Sequence, residues 1–324
     1  MTHKHLVSLV IPVYAGKKTL PLLMEEILPL TFEQRSPNGN QYIICEVLLV
    51  HDCGPDASDR IIEELSAEYQ FVRPVWLTRN FGQHAATLAG MASATGDWIA
   101  TIDEDGQQAP GDIGLLLDRA LAESQQVVYA QPIMPPPHGW LRNLLSRTAK
   151  GIAHKLLDSP NSGQFNSFRL IDGEIGRILA AYCGNGIYLD VALSWIAGRI
   201  GYCPVMLRHE MARPSGYSYM KLLAHFWHMI IALGTRPLRF ITIMGLFSVA
   251  IAASLAGYVI FLKMFGDMPI QGWTSLIITI AFFSGCILTA LGVIAEYLAL
   301  SLTIAMGKPL YMVSTKPTRS GTIR

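Results

Sequence analysis

Residues 100–110, ATIDEDGQQAP, set Asp103, Glu104 and Asp105 side by side at the end of an apolar run and follow them with Gln107. Like charges this close repel, and holding them together is costly unless a cation sits among them. Asp103 and Asp105, spaced i and i+2, can both approach one hard divalent ion. All-oxygen ligands suit Mg2+ or Mn2+, and Mg2+ in particular completes its shell with phosphate oxygens and water. Gln107 can add a carbonyl oxygen. The D-x-D spacing alone also fits a solvated turn that caps the helix following Pro110, so the elements around it decide its weight.

Those elements alternate. LVSLVIPVY, EVLLVHD (46–52), VRPVWLT (72–78), WIATID (98–103) and QVVYA (126–130) read as strands, and the segments between them carry helical spacing, as at Ile61, Ile62 and Leu65. Such alternation predicts βαβ units around a mostly parallel sheet, whose ligands bind outside the carboxyl ends of the strands. Tyr14, Asp52, Arg79 and Asp103 all fall at such ends. Further on, residues 139–158 interleave Trp140, Leu141, Leu144, Leu145, Ile152 and Leu156 with Arg142, Arg147, Lys150 and Lys155. This basic amphipathic pattern fits either a helix lying in a membrane interface or an ordinary domain helix with a solvated face. Residues 217–233 read as a second interfacial helix, and 131–139 as a Pro-rich loop.

Only 15% of the 324 residues are charged, against roughly 25% in a soluble domain, while 51% are hydrophobic. The shortfall is local. Residues 240–262 and 268–295 are two uncharged stretches, each long enough for the roughly 20 residues that cross a bilayer, and only KMFGD separates them. They predict a transmembrane hairpin. Arg236 and Arg239 precede it and Lys308, Lys316, Arg319 and Arg324 follow, which places both outer ends in the cytoplasm. The N-terminus lacks the pattern of a cleavable signal peptide. Five cysteines without a CxxC pair argue against a disulfide framework and suit a reducing compartment. A net charge of +1 gives no reason to expect nucleic acid as a partner.

Together LVIPVY, LLVHDCGPDAS, LTRNFGQHAATLAGMASATGDWIATIDEDGQQAP, TRPLRF and GVIAEYL with GKPLY resemble the polyprenyl-phosphate glycosyltransferases of glycosyltransferase family 2, over nearly the whole chain. That group includes dolichol-phosphate mannose synthase, the bactoprenol glucosyltransferases and the undecaprenyl-phosphate aminoarabinose transferase. The resemblance implies an α/β GT-A (Rossmann-like) catalytic domain over residues 1–215, with an interfacial helix near 139–158. A juxtamembrane amphipathic helix over 216–237, two transmembrane helices over 238–303 and a cytoplasmic tail over 304–324 would follow. It implies a nucleotide-sugar donor, a polyprenyl-phosphate acceptor in the lipid bilayer, and a homo-oligomer as one arrangement the group adopts. The metal motif D-x-D-x-Q falls on Asp103, Asp105 and Gln107. Nucleotide-sugar contacts fall on Pro12, Val13, Tyr14, Asp52, Arg79, Asp103 and Glu104. An R-x-x-x-S pair for the acceptor phosphate matches Arg142 and Ser146, and an R-x-x-G-x-S motif matches Arg213, Gly216 and Ser218. Asp105, Arg142, Ser146 and Arg213 are thus the expected catalytic residues.

The chemistry agrees with this. A phosphate monoester, with a second pKa of about 6, is already an anionic nucleophile at neutral pH, so no protein base is required. What it needs is bidentate cationic positioning, which arginine supplies. The chain also departs from the family pattern. Ala15-Gly16 stand where Asn-Glu is common, His51 replaces an acidic residue, and DGQQAP replaces DLQDPP, so that Gln108 is uncharged. Gln131 stands for a basic residue, and Ser218-Tyr219-Met220 for S-K-Y. These changes point to altered specificity. His51 is expected to face the sheet, His84 to cap or contact a loop, Glu296 to lie at the membrane boundary, and Trp195 to line the acceptor region or pack. Two other functions compete. A processive polysaccharide synthase would need more spans and an Arg-Trp acceptor motif that is missing, and a silent membrane scaffold would show no turnover.

Overall fold

The computed structural model describes residues 3–133, 165–184, 188–208, 272–307 and 309–316, with scattered positions between Ile241 and Met264. The chain divides into two compact units, Met1–Ser218 with Pro309–Arg324, and Tyr219–Lys308.

The first unit is a nine-stranded mixed sheet. Its strands and helices, in chain order, are β1 (His5–Val13), α1 (Leu20–Ile27), β2 (Gln34–Arg35), β3 (Gln41–His51), α2 (Ser58–Glu68), β4 (Val72–Leu77), α3 (Gln83–Ser93), β5 (Trp98–Thr101), α4 (Ile113–Glu123), β6 (Val127–Pro132), β7 (Arg169–Asp172), α5 (Gly173–Tyr182), α6 (Leu189–Ile196), β8 (Ile200–Val205) and β9 (Val313–Ser314). The strand order is β8-β6-β7-β5-β1-β3-β4-β9, with β2 on β3. β1 runs parallel to β3 and β5, and β3 parallel to β4. β7 is antiparallel to both of its neighbours, β5 and β6.

The strands are apolar on both faces because helices cover both. On β3, Val47 and Leu49 join one core with Leu20, Leu23, Ile27, Ile62 and Leu116. Leu48 and Val50 join the other, with Ala86, Leu88, Met91, Leu179 and Leu193. Two helices show how local sequence sets position. α3 carries Ala85, Ala86, Ala89 and Gly90 inward, and a Cβ on Gly90 would sit 2.3 Å from Val10 Cγ1, so the small residue lets the helix lie close on β1. α5 begins at Asp172, whose carboxylate accepts the N–H groups of Glu174 and Ile175, satisfying amides the helix leaves unpaired.

Sequence and structure differ at three places. The sheet contains β9, drawn from the segment expected to be a cytoplasmic tail; it pairs antiparallel with β4. β7 interrupts the parallel series. In the second unit, α7 (Trp273–Ala305) is 33 residues long. At about 1.5 Å per residue this is about 50 Å, longer than a bilayer core of about 30 Å. Its segment Phe282–Ala299 is apolar enough to cross a membrane and is unburied. Glu296 stands near the carboxyl end of that segment. Described positions from Ile241 to Met264 are helical, but only α7 presents a complete candidate span among the described residues. Residues 139–158 and 217–233, with Arg142, Ser146 and Arg213, lie outside the described residues.

Candidate active site

The strand order reverses at β1. From it the chain builds β3 and β4 to one side and β5 to the other, which opens a crevice at the carboxyl ends of β1 and β5. A cleft of 390 Å³ lies there, lined by Pro12, Val13, Tyr14, Asp52, Asn80, Gly82, Gln83, Asp103, Glu104 and Asp105. This is within the size range of small-molecule sites. Seven residues singled out in the sequence thus share one cavity: Pro12, Val13, Tyr14, Asp52, Asp103, Glu104 and Asp105. Arg79 and Gln107 are not among its lining residues. The Arg79 guanidinium stacks over the Phe81 ring at 4.6 Å. Gln107 fixes the turn by its backbone, donating its N–H to Asp105 Oδ1 at 3.0 Å and accepting the Arg208 N–H at 2.9 Å.

Each carboxylate has a distinct setting. Asp103 is held on both oxygens: Gln83 Nε2 donates to Oδ1 at 2.6 Å, while Ser167 Oγ and Gln108 Nε2 donate to Oδ2. Burial pushes its carboxyl above the ordinary range. The Ser167 hydrogen bond opposes that, and the charge of Asp105 adds to it. Behind this group Thr101 Oγ1 donates to the Ser167 carbonyl at 2.5 Å and accepts from Arg169 Nε at 3.0 Å. Arg169 is buried and paired with Asp190, which also accepts the Tyr129 hydroxyl at 3.1 Å. The positive charge of buried Arg169 thus partly offsets the upward push that burial gives Asp103.

Glu104 turns the other way. Its Oε2 accepts the Tyr14 N–H at 3.1 Å, and its Oε1 accepts the Ala15 N–H at 2.9 Å. It is a cleft wall that shapes the loop after β1. A Cβ at Gly16 would lie 2.7 Å from Glu104 Oε2, so the small Ala15-Gly16 pair, a departure from the family pattern, leaves room for this carboxylate.

Asp52 accepts the N–H groups of Phe81 at 2.7 Å and Gly82 at 2.9 Å. Burial pushes its carboxyl up, and those two amides counter the push. His51 is 1% exposed, faces away from the cleft and meets Trp76 edge to face at 5.6 Å. Among the described residues neither of its ring nitrogens has a hydrogen-bond partner. His84, the second residue of α3, meets the Tyr188 ring at 5.0 Å. Trp195 is 63% exposed.

Sequence reading missed Asn80, Gly82 and Gln83 in the cleft wall and Ser167 behind Asp103, and noted Gln108 only as a departure from the family pattern. Gly82 carried a signal: its φ of +93° favours glycine. Gly54 carried one too, since a Cβ there would fall 1.3 Å from the Tyr14 carbonyl oxygen.

The donor set is all oxygen. Two carboxylates at one cleft edge fit Mg2+ or Mn2+, which need only one or two protein carboxylates when phosphates complete the shell. Among the described residues no cluster of three or more His, Cys, Asp or Glu is arranged to hold a metal without such a ligand.

The family described as glycosyl transferase family 2 matches residues 8–180, more than half of the chain. The chain belongs to glycosyl transferase family 2. It is a glycosyltransferase, and the matched stretch contains every residue that lines the cleft. Among similar proteins, the bactoprenol glucosyl transferase of Shigella phage SfX is 25% identical over 310 residues, covering 96% of this chain and 99% of its own length. The undecaprenyl-phosphate 4-deoxy-4-formamido-L-arabinose transferase of Klebsiella pneumoniae is 28% identical over 326 residues, covering 95% and 92%. Among solved structures, glucosyl-3-phosphoglycerate synthase from Mycobacterium tuberculosis, crystallised with Mn2+ and UDP-glucose, aligns with a TM-score of 0.50 at 18% identity over 72% of this chain and 79% of that one. That likeness establishes the GT-A-like mixed α/β fold of this glycosyl transferase family 2 member.

Proposed function

We propose that the chain transfers one monosaccharide, with inversion, from a nucleoside diphosphate sugar to a polyprenyl phosphate, with UDP favoured over GDP as the carrier. The observation that supports this most is the meeting of Asp52, Asp103 and Asp105 around one cleft at the carboxyl edge of the sheet. The acceptor class follows from the names of relatives that align along nearly their whole length.

In this reading Asp103 and Asp105 would hold the divalent ion. When bound, it offsets the charge that develops on the departing diphosphate. The loop pinned by Asp52 forms the side of the pocket that receives the nucleotide, with Tyr14 at the opposite edge. An acceptor phosphate oxygen forms the new bond to the anomeric carbon as the bond from that carbon to the diphosphate oxygen breaks. The nucleoside diphosphate leaves with the bonding pair, and no proton needs to move. Arg142, Ser146 and Arg213 position the acceptor phosphate, with the basic segments 139–158 and 216–237 at the membrane interface. Residues 238–303 cross the inner membrane twice, so that the catalytic unit and both termini are cytoplasmic; α7 supplies one of these spans.

The test is turnover by the full-length protein in nanodiscs, with UDP- and GDP-sugars, Mg2+ or Mn2+, and a short polyprenyl phosphate. Sugar transfer that needs the metal and falls at least about a hundredfold in Asp105→Ala is expected. Transfer that persists undiminished in that variant rejects the metal role, and no transfer with any donor favours a silent scaffold.

A further inference from the structure

One wall of the cleft is held from two sides. From inside, Asp52 accepts the N–H groups of Phe81 and Gly82. From outside, a segment more than two hundred residues later in the chain reaches the same stretch. β9 pairs with the free edge of β4, Ser314 opposite Trp76 and Val313 opposite Leu77. Directly after the strand, Thr78 N–H donates to the Met312 carbonyl at 3.0 Å. Leu310 and Tyr311 pack on the core that contains Val75, Leu77 and Ala86, the same core against which Phe81 packs. Asn80 lies between Thr78 and the amides that Asp52 holds, Gly82 carries one of those amides and Gln83 follows it; all three line the cleft.

We propose that Leu310–Ser314 is a positioning strap for the nucleotide pocket: it sets the path of Thr78–Gln83 and so the fit of the bound nucleotide. The proposal rests on the reading of the cleft as a nucleotide-sugar site. A two-residue strand contributes little by itself, so the strap depends on the side chains that seat it, Leu310 and Tyr311. It lies at the edge of the sheet, away from the central strands β1, β3 and β5. Its release is therefore a local opening that leaves the rest of the unit folded. The strap is reached within a few residues of the end of α7 at Ala305, so the donor pocket of this chain is completed by residues that follow its apolar helix.

The experiment uses full-length protein in nanodiscs, with UDP–Mn2+ and GDP–Mn2+ titrated by calorimetry. For whichever nucleotide binds the wild type, Tyr311→Ala is expected to weaken binding about tenfold. Tyr311→Phe, which keeps the ring, is expected to restore it. The melting temperature without nucleotide is expected to stay within about 2 °C of wild type, as befits a local change. In the wild type, the nucleotide is expected to slow amide hydrogen exchange across residues 310–314. Wild-type affinity in Tyr311→Ala, a loss that Tyr311→Phe does not recover, or exchange at 310–314 that ignores the nucleotide each overturns the strap. A wild type that binds neither nucleotide removes the donor-site reading as well, which sets that failure apart.

Discussion

Gln108 meets Asp103 in both directions: its Oε1 accepts the Asp103 backbone N–H at 2.9 Å, and its Nε2 donates to Asp103 Oδ2 at 3.2 Å. An aspartate, the residue usual at this place in the family pattern, could accept but could not donate to a neighbouring carboxylate. Gln108 also donates to Ser167 Oγ at 2.8 Å, so the two residues lock one carboxylate oxygen from the rear. Ser167→Ala removes one donor from a shielded carboxylate. A loss of about 1–3 kcal/mol in stability is expected; if Asp103 holds the metal as proposed, Mn2+–nucleotide binding also weakens roughly tenfold or more, the weight of an outer group that orients a metal-binding carboxylate. Thermal melts and calorimetric titration check the two effects separately; unchanged metal–nucleotide affinity would show that Ser167 is merely structural.

Gly54 is where the loop after β3 passes the end of β1. A methyl group there would meet the Tyr14 carbonyl oxygen at 1.3 Å, and that oxygen belongs to backbone that cannot swing aside. Gly54→Ala is therefore expected to push the two loops apart and destabilise the unit by at least about 1–3 kcal/mol, as overpacking does. Nucleotide binding should fall with it, since Tyr14 and Asp52 line the cleft from either loop. A melting curve and a nucleotide titration that both match wild type would contradict the geometry.

His51 gives a pH dependence. It is buried with both ring nitrogens unpaired, and burial holds its pKa below the ordinary 6.5, with Asp59 and Asp56 pulling weakly the other way. The folded state thus refuses a proton that the unfolded chain accepts. Stability is then fully present above about pH 6.5 and falls as pH drops from there toward the lowered folded pKa, at up to about 1.4 kcal/mol per pH unit. His51→Phe keeps the ring against Trp76 and removes the unpaired nitrogens. It is expected to raise stability at neutral pH by about 1 kcal/mol and to flatten the acid slope between pH 6.5 and 5. Urea melts across that range decide it, and an unchanged slope would assign the acid sensitivity elsewhere.

Arg142 tests the division of labour between donor and acceptor. If it holds the acceptor phosphate, Arg142→Ala should reduce transfer by about a hundredfold or more, the scale of a lost charge-assisted contact in the transition state. Nucleotide affinity should stay near wild type. Parallel loss of both properties would place Arg142 in the donor pocket or in the fold.

Much of this site is legible in the sequence, and the reason is local. A strand that ends in Tyr14, Asp52 or Asp103 announces its own carboxyl end, and parallel topology gathers those ends in one place. What is not legible depends on which strands become neighbours. Glu104 looks like a third member of an acidic cluster, and only the pairing of β1 with β5 reveals that it serves the Tyr14 and Ala15 amides. Ser167 acts on Asp103 across 64 residues of chain through a strand that runs against its neighbours. Arg79 does sit at a strand end, yet its guanidinium finds the Phe81 ring. β9 is too short to show any alternation of polar and apolar residues, and its partner strand lies more than two hundred positions away. The uncharged stretch 268–295 stops short of the end of α7 because Glu296 interrupts the composition without interrupting the helix.

The antiparallel pairing of β6 with β7 has one more implication. Ala130 N–H donates to the Phe168 carbonyl at 3.0 Å, and Asn166 Nδ2 donates back to the Ala130 carbonyl at 3.1 Å. These two bonds extend the pairing of Val127–Tyr129 with Arg169–Ile171 and fix the register of β6 on β7. A change in the number of residues joining two such strands need not move their register, since each doubling of a connection adds only about 0.6 kcal/mol of closure entropy. Insertions or deletions between the two strands would thus leave untouched every residue that lines the cleft, since all of them precede β6 in the chain.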